Sequence, residues 1–323
     1  MIVKQPVALI GLALLATVSN AGAAAAVRAS PAQAAVAAGH YHYSRVHVPS
    51  VHDPHRLAAV VAGLTSSGDV VGSVSGPGPN ASRTFIKAPG DHLTWVKVPG
   101  YPSIQVDAVS PGGELLVSAF NPKGHGAPRL YLRTPDGTLR RVRVPKLNPS
   151  SVIASGVNDN GEVVGSGFTM SGRPRSFAGP PGAVHLLSLS IKKATAIFAS
   201  GVNDNGVIVG SYADRHDVTY GFVDRAGNVH SIRLPRAGTS LGRGSAIVAV
   251  ADNGSWVGTA TTGSAAAATI VYLHVPGHRL VRLRYPKARA QTEVNFVNSD
   301  GVVTGTFGRP GKPTTGFLAR PLG

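Results

Sequence analysis

The sequence predicts an all-β fold: a six-bladed β-propeller with four antiparallel strands per blade. Three observations lead there. One hairpin-like phrase, Ser155-Gly-Val-Asn-Asp-Asn-Gly-Glu-Val-Val-Gly-Ser166, recurs almost unchanged over residues 200–211, and more loosely around Gly72, Val117, Gly258 and Gly305. The anchor positions 72, 117, 165, 210, 258 and 305 lie 45 to 48 residues apart, a period typical of units built from four short strands. The last copy stops early, while an orphan segment that reads like an outer strand stands ahead of the first.

Residues 245–286 show the unit most plainly. Ser245 to Ala251 is apolar and compact, Asp252-Asn-Gly-Ser255 is a turn, and Trp256 to Thr262 is a second strand. A Gly/Ser/Ala loop leads to a third strand, Thr269 to His274. Pro276-Gly-His278 then turns the chain into an alternating fourth strand, Leu280 to Tyr285, which Pro286 ends. The first strand is the richest in Gly, Ser and Ala, which suits the crowded innermost position of a ring.

The sixth copy has no fourth strand, because only Pro-Leu-Gly follows Arg320. Ser44-Arg-Val-His-Val-Pro49 matches the endings Val96-Lys-Val-Pro99 and Val142-Arg-Val-Pro145. Residues 43–49 are therefore expected to complete the last blade. Closing the ring this way removes free sheet edges, which are aggregation hazards.

Met1 to Lys4, the apolar run Val7 to Val18 and Ala21-Gly-Ala23 have the layout of a secretory signal peptide over residues 1–23. Residues 24–40 read as a flexible Ala-rich lead-in, and 41–323 as one propeller domain. The expected location is secreted, extracellular or periplasmic, with no transmembrane segment in the mature chain. The chain has no cysteine, so an exported form must rely on core packing and ring closure rather than on disulfides.

The repeat resembles the HAF family of bacterial extracellular repeat proteins. The likeness rests on Val157-Asn-Asp-Asn-Gly-Glu-Val-Val-Gly165, its copy at 202–210, and Phe177, Phe222 and Phe317 at the family's phenylalanine position. The His-Ala that precedes that phenylalanine in the family is absent from every copy. The resemblance implies a secreted β-propeller-like protein and transfers no catalytic residues.

The turns Asn158-Asp-Asn-Gly161, Asn203-Asp-Asn-Gly206 and Asn298-Ser-Asp-Gly301 invite comparison with calcium loops. Gly156 and Gly201 carry no oxygen ligand at the preceding alternate positions, and no acid closes the loop at the expected distance. Asn, Asp and Gly are also the residues that supply positive φ in tight hairpins, so the turns are read as structural. His40, His42, His47, His52 and His55 cluster near the start, with Asp53 as the one carboxylate nearby; they are read as exposed side chains. No metal and no cofactor are expected.

A glycosidase needs two facing carboxylates, and most of the 15 acids here are taken up by turns. No His-Glu-x-x-His motif or phosphate loop appears. Asp214, His216 and Asp217, beside Tyr220, form the most chemical-looking cluster. They are the weak catalytic candidates of an alternative reading: a propeller lyase or hydrolase with its site at the mouth of the central channel.

The net charge is +16. In a propeller the between-blade and second-to-third-strand loops share one face, and the two hairpin turns of each blade share the other. Sorted this way, fifteen basic residues face five acids on the loop face (Asp53, Asp107, Asp214, Asp217 and Glu293), while ten acids, with Asp224 at a second hairpin turn among them, gather on the hairpin face. The candidate ligand-binding residues are Lys123, Arg173, Arg175, Lys192, Lys193, Arg215, Arg243, Arg309 and Lys312, with further arginines on the outer strands. The expected function is that of a non-catalytic, monomeric binding or scaffold propeller. Its expected partner is an anionic polymer or cell-surface component: polysaccharide, lipopolysaccharide or nucleic acid. Aromatics on this face are few (Tyr101, Phe168, Tyr212 and Tyr220), which favours phosphate or carboxylate capture over base stacking.

Overall fold

The computed structural model describes residues 41–48, 58–75, 82–121, 126–239, 243–262, 269–284, 292–308 and 314–322. The signal peptide and lead-in expected over 1–40 lie outside the described residues. Strand β1 (Tyr41–Arg45) precedes the first blade. Blade 1 comprises β2 (Ala58–Leu64), β3 (Val70–Ser75), β4 (Ser82–Lys87) and β5 (Leu93–Trp95). Blade 2 comprises β6 (Ser103–Val109), β7 (Leu115–Phe120), β8 (Arg129–Arg133) and β9 (Leu139–Val142). Blade 3 comprises β10 (Ile153–Val157), β11 (Val163–Phe168), β12 (Pro174–Gly179) and β13 (His185–Leu186). Blade 4 comprises β14 (Ala196–Val202), β15 (Val207–Ala213), β16 (Thr219–Arg225) and β17 (Asn228–Ile232). Blade 5 comprises β18 (Ser245–Val250), β19 (Trp256–Thr261), β20 (Thr269–His274) and β21 (Val281–Leu283). Blade 6 comprises β22 (Thr292–Val297), β23 (Val303–Phe307) and β24 (Thr315–Pro321), completed by β1.

Ring closure follows the predicted phase. β1 pairs antiparallel with β24 from Tyr41↔Pro321 to Arg45↔Phe317, so residues 46–48 follow the strand rather than extend it. Val46 is buried, as are Val96 and Val142 at the matching positions of blades 1 and 2. The Tyr41 hydroxyl donates to the Gly301 carbonyl and the Arg284 amide donates to the Tyr43 hydroxyl, tying the closing strand to the last two blades.

The repeated glycine has a local cause. In every blade the innermost strand carries a β-bulge, at Ala62, Asp107, Ser155, Ser200, Val248 and Asn295, where two residues oppose one on the second strand. The second-strand residue facing the bulge is glycine in five blades, paired across to an aromatic on the third strand. The pairs are Gly72↔Phe85, Gly165↔Phe177, Gly210↔Phe222, Gly258↔Tyr272 and Gly305↔Phe317. A Cβ on Gly165 would collide with the Ile153 carbonyl and lie 2.6 Å from Cζ of Phe177; Gly210 and Gly305 are hemmed in alike. The ring lies where a side chain would stand, and the four phenylalanines are almost wholly buried. Blade 2 departs, with Val117 opposite Tyr131.

Crowding at the axis is equally specific. The residue after each bulge is Gly63, Ala108, Gly156, Gly201, Ala249 or Phe296. A Cβ on Gly156 would sit 2.8 Å from the Gly201 Cα, backbone against backbone between neighbouring blades. Phe296, the one large residue of the set, borders Gly63, whose missing side chain leaves it room. Hydroxyls stitch the seams further out. Ser73 accepts from the Val106 amide and Ser176 from the Ala199 amide, both at 2.9 Å and both just before a bulge in the next blade.

Gly210→Ala is expected to lower stability by at least about 2 kcal/mol, because neither the carbonyl nor the buried ring can yield freely. Exposed Ser190→Ala should stay within about 0.5 kcal/mol. Urea unfolding midpoints of the two variants check this.

Candidate functional site

The repeated turns hold the blades to one another. Each first hairpin is a turn in which glycine alone takes positive φ: Gly68, Gly113, Gly161, Gly206, Gly254 and Gly301 lie between 70° and 95°. The asparagines before them do not, so they serve hydrogen bonding and not backbone conformation. At the head of the turn Thr65, Ser110, Asn158, Asn203 or Asn298 accepts the amide four residues on through its side-chain oxygen. From blade to blade runs a belt. Asp159 accepts from the Gly112 amide, Asp204 from the Asp159 amide and Asp252 from the Asp204 amide, at 2.6 to 2.8 Å. Asn158 and Asn203 donate to the Asn203 and Ala251 carbonyls, and Asn295 closes the circuit onto the Val61 carbonyl. In each of Asn158, Asp159, Asn203, Asp204 and Asp252 one side-chain oxygen is thus engaged by an amide. Among the described residues no group of three or more His, Asp or Glu side chains gathers as a metal site.

The axial cavity opens beside this belt, with Asn158, Asn203, Asp204, Asp252 and Ser299 at its rim. Its water-accessible space is about 50 Å³, room for a few waters and far short of the roughly 300 Å³ of a small-molecule site. Asp107, expected on the loop face, lies inside β6 at the bulge, where Ser118 donates to it at 2.6 Å. Burial pushes its pKa up to about 7, with the Ser118 hydrogen bond pulling the other way. Asp224, expected in a turn, is likewise buried within β16. Asp204 is also raised, first by burial and then by the carboxylates of Asp159 and Asp252 beside it.

Asp214, His216 and Asp217 occupy the β15–β16 loop, at the opposite end of β15 from the cavity rim. Asp214 accepts from the His216 and Val218 amides and from the Tyr220 hydroxyl. Slight burial opposes its ionisation, but these hydrogen bonds outweigh it and hold its pKa low. Its role here is to cap the loop. Asp217, the other carboxylate residue of this loop, donates its backbone amide to the Asp214 carbonyl.

The loop face carries the predicted cations. Arg173, Arg175, Arg215, Lys192 and Lys193 are exposed; Arg243 is half-buried and donates to the Thr262 carbonyl. Lys123, Arg309 and Lys312 lie outside the described residues. Among the described residues, four connectors between blades share one device: a positive φ at the turn's third residue, Gly100 (80°), Lys146 (64°), Lys193 (70°) and Arg236 (64°). Three of them place an exposed cation where glycine would be least strained. Among the described residues none of these three cations has a carboxylate partner; the ion pair seen, Lys87 with Asp91, belongs to a hairpin turn.

No protein-family model and no curated protein matches this chain. Solved structures do. TolB from Acinetobacter baumannii aligns with 82% of the chain at a TM-score of 0.53 and 13% identity; this chain spans 63% of its length. A putative TolB from Agrobacterium tumefaciens aligns with 84% of the chain and 92% of its own, at 0.53 and 13%. The β-propeller domain of the Trilobed protease from Pyrococcus furiosus covers 81% of each chain at 0.50 and 11%. The likeness is one of fold. That protease domain has an open velcro topology, whereas here β1 closes the ring. No helix among the described residues is long and apolar enough to cross a membrane.

Because the folded-state pKa of Asp107 is raised, the protonated acid favours the fold at low pH, and that contribution is lost as pH rises towards about 7. Asp107→Asn should therefore gain stability relative to the parent between pH 4 and pH 7.5, by up to about 4 kcal/mol. Urea midpoints of both proteins across that range provide the check; a pH-independent difference would contradict it.

Proposed function

We propose that this chain is an exported, non-catalytic propeller of the HAF type whose basic loop face and rim bind an anionic polymer or surface. The observation that carries the reading is the connector set. Lys146, Lys193 and Arg236 hold positive φ at exposed turn positions where glycine would remove roughly 1 kcal/mol of strain each. Residues kept against local preference mark functional positions. Rim arginines Arg140, Arg141 and Arg143 on and beside β9 are exposed as well and extend the positive surface. Export rests on the signal-like start, and HAF kinship on the Val-Asn-Asp-Asn-Gly phrase; both support the proposal.

The triple variant Lys146→Gly, Lys193→Gly, Arg236→Gly separates charge from architecture. It should melt no lower than the parent, since glycine suits these dihedrals, yet elute from heparin at clearly lower salt. The slope of log affinity against log salt should fall by about one per contact removed. Equal elution of parent and variant, or no retention of the parent, would sink the reading.

A further inference from the structure

Three equivalent grooves open in consecutive seams between blades. The first, about 670 Å³, lies between blades 1 and 2; the second, about 250 Å³, between blades 2 and 3; the third, about 420 Å³, between blades 3 and 4. Each is bounded by one blade's third and fourth strands and by the connector leading to the next blade, at the loop-face end. All three hold an arginine from the same place in the repeat, two residues before the third-strand aromatic: Arg83, Arg129 and Arg175; the second groove also holds Arg141 and Arg143. Blades 4, 5 and 6 have Tyr220, Ile270 and Thr315 there, and Tyr220 stacks on Tyr212 at 5.2 Å. The arginines therefore mark one half of the ring.

The geometry suits an anion attached to an apolar-faced ring. The Arg83 guanidinium lies 3.9 Å over the Trp95 ring, and Arg129 lies over Tyr101, which also lines the first groove. Stacking uses the flat face of a guanidinium and leaves its in-plane N–H fork to bind a carboxylate. Among the described residues, Arg83 and Arg129 donate to no other group, and Arg175 donates to the carbonyl of its neighbour Pro174. The rest of the first groove is apolar, formed by Val96, Val98, Pro99 and Ile104, with one further cation, Lys97. A bare phosphate chain would find little use for such walls. A sugar acid would, since its C–H face packs on the apolar wall while its carboxylate meets the fork.

We infer that the three grooves are repeated subsites, each taking one uronate residue of an acidic polysaccharide. This deepens the proposed polyanion reading and rests on it. Three adjacent subsites on a rigid ring favour a polymer over its monomer through effective concentration, without any new contact.

The probes are trigalacturonate, polygalacturonate and neutral maltotriose, titrated calorimetrically into the full chain. The parent should bind trigalacturonate and not maltotriose, and polygalacturonate more tightly than the trimer. Arg83→Gln, Arg129→Gln, Arg175→Gln together should weaken the trimer at least about tenfold, as loss of charge-assisted hydrogen bonds requires. Heparin retention should largely persist in that variant through the connector cations. An independent readout on the unmutated protein is the Trp95 indole N–H resonance, which should shift on titration while that of buried Trp256 stays fixed. Equal binding of maltotriose, trimer affinity within about twofold in the triple variant, or an unmoved Trp95 resonance would overturn the subsites. A parent that fails to bind heparin would instead overturn the broader polyanion reading.

Discussion

The fold depends on one recurring contact: a bulged inner strand that presses a carbonyl over the second strand, and a phenylalanine ring that fills the other side. In the four blades that have this phenylalanine only a hydrogen fits between them, so glycine is required there; blade 2 has Val117 opposite Tyr131 instead. The bulge makes the inner strand twist and lets six strands converge on an axis with almost no lumen. The buried rings then supply the apolar surface for the seams between blades. Remove the bulge and the glycine loses its reason; remove the glycine and the ring has no seat.

Around this centre the polar groups divide their labour. The acids that looked like a negative face are mostly occupied as acceptors: Asp159, Asp204 and Asp252 receive amides from the preceding blade, and Asp69 and Asp136 accept within their own turns. The first three contribute to a head-to-tail belt that needs neighbours on both sides, which is why a closed ring suits them. Among the described residues, the connector cations Lys146, Lys193 and Arg236 play no such internal part. They stand exposed, on strained backbone, and no internal interaction explains their sign.

Much of this was legible because each repeat is one supersecondary unit copied in phase. Anchors 45 to 48 residues apart gave six blades, and the Val-x-Val-Pro ending identified the strand that closes the sixth. The bulges were not legible, since an extra residue in a short strand of Gly, Ser and Ala breaks no hydrophobic pattern. The inter-blade role of Asp159, Asp204 and Asp252 was hidden for another reason: a turn-forming residue and a cross-blade acceptor share one composition. Asp107, left to the loop face once the hairpin acids are assigned, is held instead at a bulge within β6 beside Ser118. Arg129 is not among the candidate residues read from the sequence; its signal is its register with Arg83 and Arg175, two residues ahead of the third-strand aromatic.

If the inner hairpins are the scaffold, they should open last. Amide hydrogen exchange read by mass spectrometry tests this directly. Peptides spanning 153–166 and 196–211 should exchange only through global unfolding and be the slowest in the protein, with the 169–173 and 188–194 loops exchanging early. Inner hairpins that exchange as fast as those loops, while the outer strands stay protected, would show that the bulge–glycine–aromatic contact is not what holds the ring.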